Sequence, residues 1–373
     1  MKVSYRITAG LFLAFLSCAA VVNLALPDRS YSESEKRELQ AFPSWSVART
    51  LDGVFMKEFD SYANDQFFGR DAWVQAKGMS QYLAGQRLIH DVYLAGGRYM
   101  GNFKLEDEKR FTDNLAAIRR LAEKSPLPVS LLIAPEEVGI YSDLLPSFAQ
   151  TEDQDALAAR IARELGDRVT VVWTKSALTP HREEEIYFRT DHHWTPRGAL
   201  YGYNAWRRAL GKTERPMPEF ETVSRNFRGS MLFKAGVRLP WLPEDTLTIP
   251  KGITNEQFSV VINDGKTERD GLMFDFSYLN GEDQYRIYQG GNQPLMAISS
   301  ATGRGRALVL KDSFCNVLLP YLASDYETVY VADMRYNRQS PAQYAADMGV
   351  DEIVLVYSMS SICDEFSLAW LAN

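Results

Sequence analysis

The chain predicts an α/β protein built on a flavodoxin-like parallel sheet with helices on both faces, and three observations carry that prediction. Apolar runs of strand length alternate with segments of helical spacing toward both ends of the sequence. The motifs richest in chemistry follow such runs directly, where the carboxyl ends of parallel strands would present them. With 373 residues, 46% of them hydrophobic, the chain can also bury one large core.

Taken in order, Lys2 and Arg6 precede an apolar run from Ile7 to Leu26, interrupted only by Thr8, Ser17, Asn23 and small residues and closed by Pro27-Asp28-Arg29. About 20 such residues cross a bilayer, and a basic flank stays on the cytoplasmic side. Residues 1–27 therefore read as a signal anchor or transmembrane helix, with the remainder extracytoplasmic. Two competing readings are a cleaved signal peptide, with Ala19-Ala20 and Asn23-Leu24-Ala25 as sites, and a lipoprotein signal ending at Cys18, for which Phe15-Leu16-Ser17-Cys18 is a weak match.

Residues 28–50 are polar and irregular, as expected of a stalk, and the folded domain is expected over 51–373. Phe55, Phe59, Tyr62, Ala63 and Phe67 fall at helical spacing, as do Trp73, Ala76 and Tyr82. Asp91 to Tyr99, with Gly96-Gly97, predicts a hairpin. A helix carrying Leu115, Ile118, Leu121 and Ala122 then alternates with the strand 129–133, a helix carrying Leu157, Ile161 and Leu165, and the strand 169–173. The pattern returns near the end, with strands at 307–310, 328–332 and 353–357 and helices after Ser313 and Pro341. Between these halves, about residues 216–292, β-formers, glycine and proline predominate without helical periodicity, which predicts an irregular β-rich insertion able to roof a site.

A net charge of −7, from 41 basic and 48 acidic residues mixed along the chain, argues against a nucleic-acid partner. Three cysteines make no disulfide framework; Cys315 and Cys363 read as two buried thiols, with a single bridge as the alternative.

The chemistry concentrates in Phe188-Arg189-Thr190-Asp191-His192-His193-Trp194-Thr195-Pro196. Glu185-Ile186-Tyr187-Phe188 is a short β-prone run, and Thr195-Pro196 supplies the N-cap and first turn of a helix carrying Ala199, Leu200, Tyr203, Trp206 and Leu210. On such a loop Asp191 can orient the His193 imidazole through one nitrogen and leave the other free as a base. The matching nucleophile is Ser313, on the turn Lys311-Asp312-Ser313-Phe314 after the strand 306–310, with backbone N–H groups nearby for an oxyanion. Asp312 reads as a turn former. Gly229, Gly291 and Asn292 are candidates to complete an oxyanion hole, with plain turns as the alternative. Arg335 and Tyr336 could bind a substrate, or Arg335 could pair with Asp333 or Asp191. His192 and Trp194 read as pocket-shaping residues, and Lys311 either points inward to hold an anion or is an ordinary solvated lysine.

These motifs resemble the DHHW family of bacterial membrane-anchored proteins, through Glu35-Lys36-Arg37-Glu38-Leu39 with Phe42-Pro43, Asp65-Gln66-Phe67-Phe68-Gly69-Arg70-Asp71, Asp191-His192-His193-Trp194, Lys311-Asp312-Ser313-Phe314 and Asp333-Met334-Arg335-Tyr336. They are more distantly similar to the SGNH-type alginate O-acetyltransferases. The resemblance spans nearly the whole chain and implies an SGNH-hydrolase-like fold, Asp191 and His193 as acid and base, Ser313 as nucleophile, and a variable slot at His192. Lys311 departs from the glycine of the better-studied acyltransferases.

The implied function is transfer or removal of an acyl group, most simply O-acetyl, on a cell-envelope polysaccharide, with no metal or organic cofactor. A polytopic membrane-bound O-acyltransferase is the implied partner for supplying the acyl group. Two other classes stand beside it. One is a catalytically silent envelope scaffold or glycan-binding protein of the same fold; the other is a metal-dependent phosphoesterase using Asp191, His192 and His193, whose ligand count falls short.

Overall fold

The computed structural model describes residues 2–32 and 37–373. Its contacts divide the chain into two units, Met1–His90 with Leu232–Leu239, and Asp91–Met231 with Pro240–Asn373. Glu35 and Lys36 of the first shared motif lie outside the described residues.

In the first unit, helix α1 (Lys2–Ala25) contains the stretch Tyr5–Ala25, with a mean hydropathy of 2.1. Among the described residues it is the one helix long and apolar enough to cross a membrane. Helices α2 (Val47–Leu51), α3 (Val54–Asp65) and α4 (Arg70–Leu83) follow. Gly53 and Gly69 precede α3 and α4 with φ of +74° and +62°, the left-handed turns that let one helix end and the next begin at once. The aromatic spacing of α3 has a packing purpose, since Phe59 and Tyr62 meet Phe42 edge to face. Polar side chains tie down the preceding segment. Gln66 exchanges two hydrogen bonds with the Arg29 backbone, and Asp65 accepts from the Gln40 N–H.

The second unit begins with the hairpin β1 (Val92–Ala95) and β2 (Arg98–Gly101), turning at Gly96-Gly97. Its sheet is formed by β3 (Val129–Ala134), β4 (Thr170–Trp173), β7 (Phe258–Asn263), β8 (Glu268–Gly271), β9 (Leu295–Ser300), β10 (Arg306–Lys311), β11 (Thr328–Ala332) and β12 (Glu352–Ser358). A separate antiparallel pair, β5 (Phe220–Phe227) and β6 (Asp245–Pro250), lies in the insertion. The spatial order of the eight-stranded sheet is β8-β7-β9-β11-β10-β12-β3-β4.

Five of these strands, β11-β10-β12-β3-β4, are parallel. Counted from β10 through the chain end and on to β3 and β4, their order is 2-1-3-4-5, the flavodoxin-like order in circularly permuted form. Both faces of β3, β10 and β12 are buried, so both carry cover. Helix α5 (Glu108–Lys124) packs on α6 (Gln154–Leu165), while α7 (Pro196–Ala209) lies against β3 and β4.

The sheet is larger than the sequence alone predicts. Antiparallel strands β9, β7 and β8 extend it beyond β11, and two of them belong to the insertion. The expected run Glu185–Phe188 forms no strand, only the isolated bridge between Tyr187 and Trp194, because the loop closes on itself. Cys315 and Cys363 are buried free thiols.

Candidate active site

The permuted order puts the switch point between β10 and β12, where crossovers depart in opposite directions and leave a crevice at the carboxyl edge. Lys311 pairs with Val356 in that register, so Ser313 and Ser358 emerge side by side. Asp312 fixes the turn from both ends. One carboxylate oxygen accepts from the Phe314 N–H at 2.9 Å and the other from the Ser358 N–H at 2.7 Å. No acceptor among the described residues faces the Ser313 N–H.

The loop bearing Asp191 and His193 is closed at its stem by Phe188 N–H to His193 O (3.2 Å) and Thr195 N–H to Ile186 O (2.9 Å). Thr195 caps α7 by accepting from the Gly198 N–H. From β6, buried Asp245 accepts from the Arg189 N–H, the Thr190 N–H and the Thr190 hydroxyl. From β2, buried Arg98 donates to the carbonyls of Tyr187 and Phe188 at 2.8 and 3.2 Å, and Tyr99 N–H to Arg189 O at 2.7 Å. The loop is thus gripped from three sides by backbone-directed bonds, so its side chains are free for other work.

Those side chains form a chain of hydrogen bonds. Asp191 Oδ1 accepts from His193 Nδ1 at 2.5 Å and from the His193 N–H at 3.0 Å, and His193 Nε2 faces the Ser313 hydroxyl at 2.7 Å. The other Asp191 oxygen accepts from the Ser230 N–H at 2.7 Å. Burial pushes the Asp191 carboxyl up, but the charges of His193 and His192 and these hydrogen bonds outweigh it and hold the acid far below the usual carboxylate range. Tyr285 stacks on the His193 ring at 4.1 Å with 9° between the planes, and its hydroxyl donates to Ser313 O. Trp194 is buried and donates from Nε1 to Phe314 O at 2.7 Å, tying the histidine loop to the serine turn. His192 packs on His193, pairs with the Ser230 hydroxyl through Nδ1, and keeps 34% of its side chain in solvent. Burial and the charge of His193 push its imidazole down, so it is neutral at pH 7, and its exposure moderates that push.

The remaining sequence candidates take other positions. Gly229 donates its N–H to the Thr190 hydroxyl, and its Cα packs so closely that a Cβ would lie 2.2 Å from that of Asp191. Gly291 donates to Tyr288 O. Neither N–H is aimed at the serine, since one is spent on the Thr190 hydroxyl and the other within its own turn. Asn292 is half-buried beside the turn, bonded to Lys311 and Asn316. Arg335 is paired through two nitrogens with Asp333, and the Tyr336 side chain is exposed. Lys311 is buried and points inward, so the solvated alternative does not hold. Tyr285, Arg98 and Asp245 are site residues with no sequence motif to mark them, each reaching the site from a distant segment; Asn316, equally unmarked, lies at the end of the Ser313 turn itself.

Asp191, His192 and His193 could offer a metal one atom each within 4.8 Å of one another. Both His193 nitrogens and the facing Asp191 oxygen are already engaged in the hydrogen-bond chain, so a cation would have to dismantle it.

With this geometry in view, comparisons with known proteins are specific as to fold. A sequence profile described as DHHW protein matches residues 146–332. A crystal structure of a DHHW family protein from Eubacterium siraeum superposes with a TM-score of 0.63 at 22% identity, over 76% of this chain and 94% of that one. Bacillus cereus PatB1 gives 0.62 at 20% identity, over 76% and 99%. The structure of PatB1 with a sulfonyl adduct gives 0.62 at 19%, over 76% and 98%. No curated protein sequence matches the chain.

Proposed function

We propose a function for this chain, which belongs to the DHHW family: it moves an acyl group through a covalent intermediate on Ser313. The observation that carries the proposal is the unbroken order carboxylate, imidazole, hydroxyl from Asp191 through His193 to Ser313, set at the switch point of the sheet.

The chemistry follows from the bonds. Ser313 Oγ attacks the acyl carbonyl carbon as its proton passes to His193 Nε2, and the carbonyl π electrons move onto oxygen. Asp191 stabilises the imidazolium, and the unpartnered Ser313 N–H supports the oxyanion. Collapse re-forms the carbonyl and expels the leaving oxygen, which takes the proton from His193. A second hydroxyl, of water or a sugar, repeats the sequence and releases the serine. Tyr285 and Trp194 hold the two loops in register throughout.

We assign O-acetyl as the acyl group and a cell-envelope polysaccharide as its carrier. Helix α1 serves as a signal anchor, with the second unit extracytoplasmic. There the donor must arrive through the membrane, which calls for a polytopic acyltransferase partner.

The test is a chromogenic acetyl ester together with a sulfonyl fluoride or phosphonate probe on the detergent-purified chain. Ser313→Ala and His193→Ala should each lose turnover and labelling by about two orders of magnitude or more while retaining the parent melting temperature. A parent chain that neither turns over nor labels would instead support a non-catalytic scaffold.

A further inference from the structure

Beneath the serine turn, Lys311 Nζ is closed off from solvent, with 0% of its side chain exposed. It lies 2.8 Å from Asn292 Oδ1, 2.7 Å from Asn316 Oδ1 and 3.6 Å from Asp333 Oδ2. Burying an ammonium costs stability, and burial pushes its pKa down. Asp333 offsets only part of that, because Arg335 claims both of its oxygens. A buried lysine two residues before a nucleophile therefore needs a reason.

An ammonium has three donors and no acceptor, so both asparagines must turn their oxygens toward it; the reverse orientation would press an NH2 against a cation. Asn316 then donates from Nδ2 to the same Asn292 oxygen at 3.3 Å, filling its acceptor positions. The Asn292 NH2 is thereby forced to the opposite edge. Lys311 and Asn316 are fully buried while Asn292 is half-buried, so that edge is the open one, and Asn316, which anchors the other edge, belongs to the turn that carries Ser313. Among the described residues nothing accepts from this NH2, just as nothing accepts from the Ser313 N–H.

We propose that Lys311 is a positioning residue: it locks the Asn292 amide so that its NH2 joins the Ser313 N–H in binding the oxyanion. The assignment rests on the acyl-transfer reading above. It explains why a lysine is buried under the serine turn: the ammonium orients the donor from below and polarises it.

The experiment uses the full chain in detergent with the acetyl ester, and NMR of the assigned Asn292 side-chain amide. Asn292→Ala should lower kcat about 100-fold or more with KM little changed, as expected for loss of one oxyanion donor. Lys311→Met should lower kcat by roughly tenfold or more, and in the Asn292→Ala background it should have no further effect, because it acts only through that amide. Lys311→Gln, which keeps a donor without the charge, should recover part of the loss.

Asn292→Asp covers the case in which position 311 tolerates no change. It keeps a partner for the lysine and removes the donor, so it should stay folded and lose turnover. The Asn292 amide should give one narrow pair of resonances in the parent and a shifted or broadened pair in Lys311→Met. Multiplicative losses in the double variant, an active Asn292→Asp, or unchanged amide resonances would each overturn the proposal. If the parent shows no turnover, the acyl-transfer reading fails, and the amide resonances still decide whether Lys311 sets the orientation.

Discussion

Asp191→Asn separates the role of the acid from its place in the packing. The amide has nearly the same volume, and its oxygen can still accept from the Ser230 N–H, a bond of 2.7 Å in the parent. What changes is the edge facing His193. There Oδ1 accepts from both Nδ1 and the backbone N–H, which fixes the proton on Nδ1 and leaves the Nε2 lone pair aimed at Ser313. An amide NH2 on that edge donates, so the imidazole must place its lone pair at Nδ1 and its proton on Nε2, where it can no longer accept from the serine. The charge that stabilises the imidazolium is lost too, and the depressed Asp191 carboxyl shows how strongly the two groups couple. Together these should lower kcat by about a thousand- to ten-thousand-fold, or roughly 4–5.5 kcal/mol of barrier. Single-turnover acyl-ester kinetics would read the rate, and ¹⁵N NMR of His193 would read the tautomer. An Asn variant within about tenfold of the parent, with Nδ1 still protonated, would refute this account.

The same carboxyl shapes acid stability. Its folded pKa lies below its unfolded value, so its stabilisation is complete above about pH 4 and is lost as pH falls toward the folded value; below about pH 4 the parent should lose about 1.4 kcal/mol per pH unit more than Asp191→Asn in urea titrations. Arg98→Met should cost about 3–5 kcal/mol, because it strands Glu137, whose Oε1 now sits 2.5 Å from the guanidinium and whose Oε2 has no hydrogen-bond partner. Replacing both residues with methionine should recover only part of that loss in the same denaturation assay, since it removes the stranded acid but leaves the Tyr187 and Phe188 carbonyls without their donor. Gly229→Ala should destabilise by roughly 3 kcal/mol and abolish probe labelling, since the new methyl would displace Asp191. Protease added to spheroplasts should digest the chain beyond α1, and complete protection would exclude the proposed topology.

What could be read in the sequence, and what could not, follows from the distance over which each feature is determined. Asp191 and His193 lie two residues apart on a capped loop, so local chemistry suggests their contact, and the apolar strand before Ser313 marks the nucleophile's edge. The parallel strands show because they are buried on both faces and need apolar runs. Strands β7 and β9 have no such mark. They pair antiparallel at the side of the sheet, and their alternating burial merges with the composition of the insertion. Tyr285 looks like any aromatic in a β-rich stretch until folding stacks it on an imidazole from about 90 residues away. Lys311 misleads for a related reason: lysine is rarely buried, and it is the two asparagine oxygens and the Asp333 carboxylate meeting its ammonium that make burial tolerable.

These costs bear on the choice between an enzyme and a silent scaffold. A scaffold needs the fold, and a fold gains little from a desolvated acid and imidazole; apolar side chains of similar volume at such places are often neutral or stabilising. Here Asp191 and His193 are 3% and 4% exposed, and Lys311 has none of its side chain in solvent. Each feature lowers stability on its own, and all converge on the crevice between β10 and β12. A desolvated acid–imidazole pair and a buried ammonium lower a barrier only if charge develops where they point, as it does when a serine alkoxide attacks a carbonyl. The spatial agreement of several separate stability costs therefore favours turnover. It also makes a definite forecast for denaturation: Lys311→Met combined with Asn292→Leu and Asn316→Leu, which removes every member of the buried polar cluster and strands none of its amides, should fold at least as stably as the parent chain while losing its acyl chemistry.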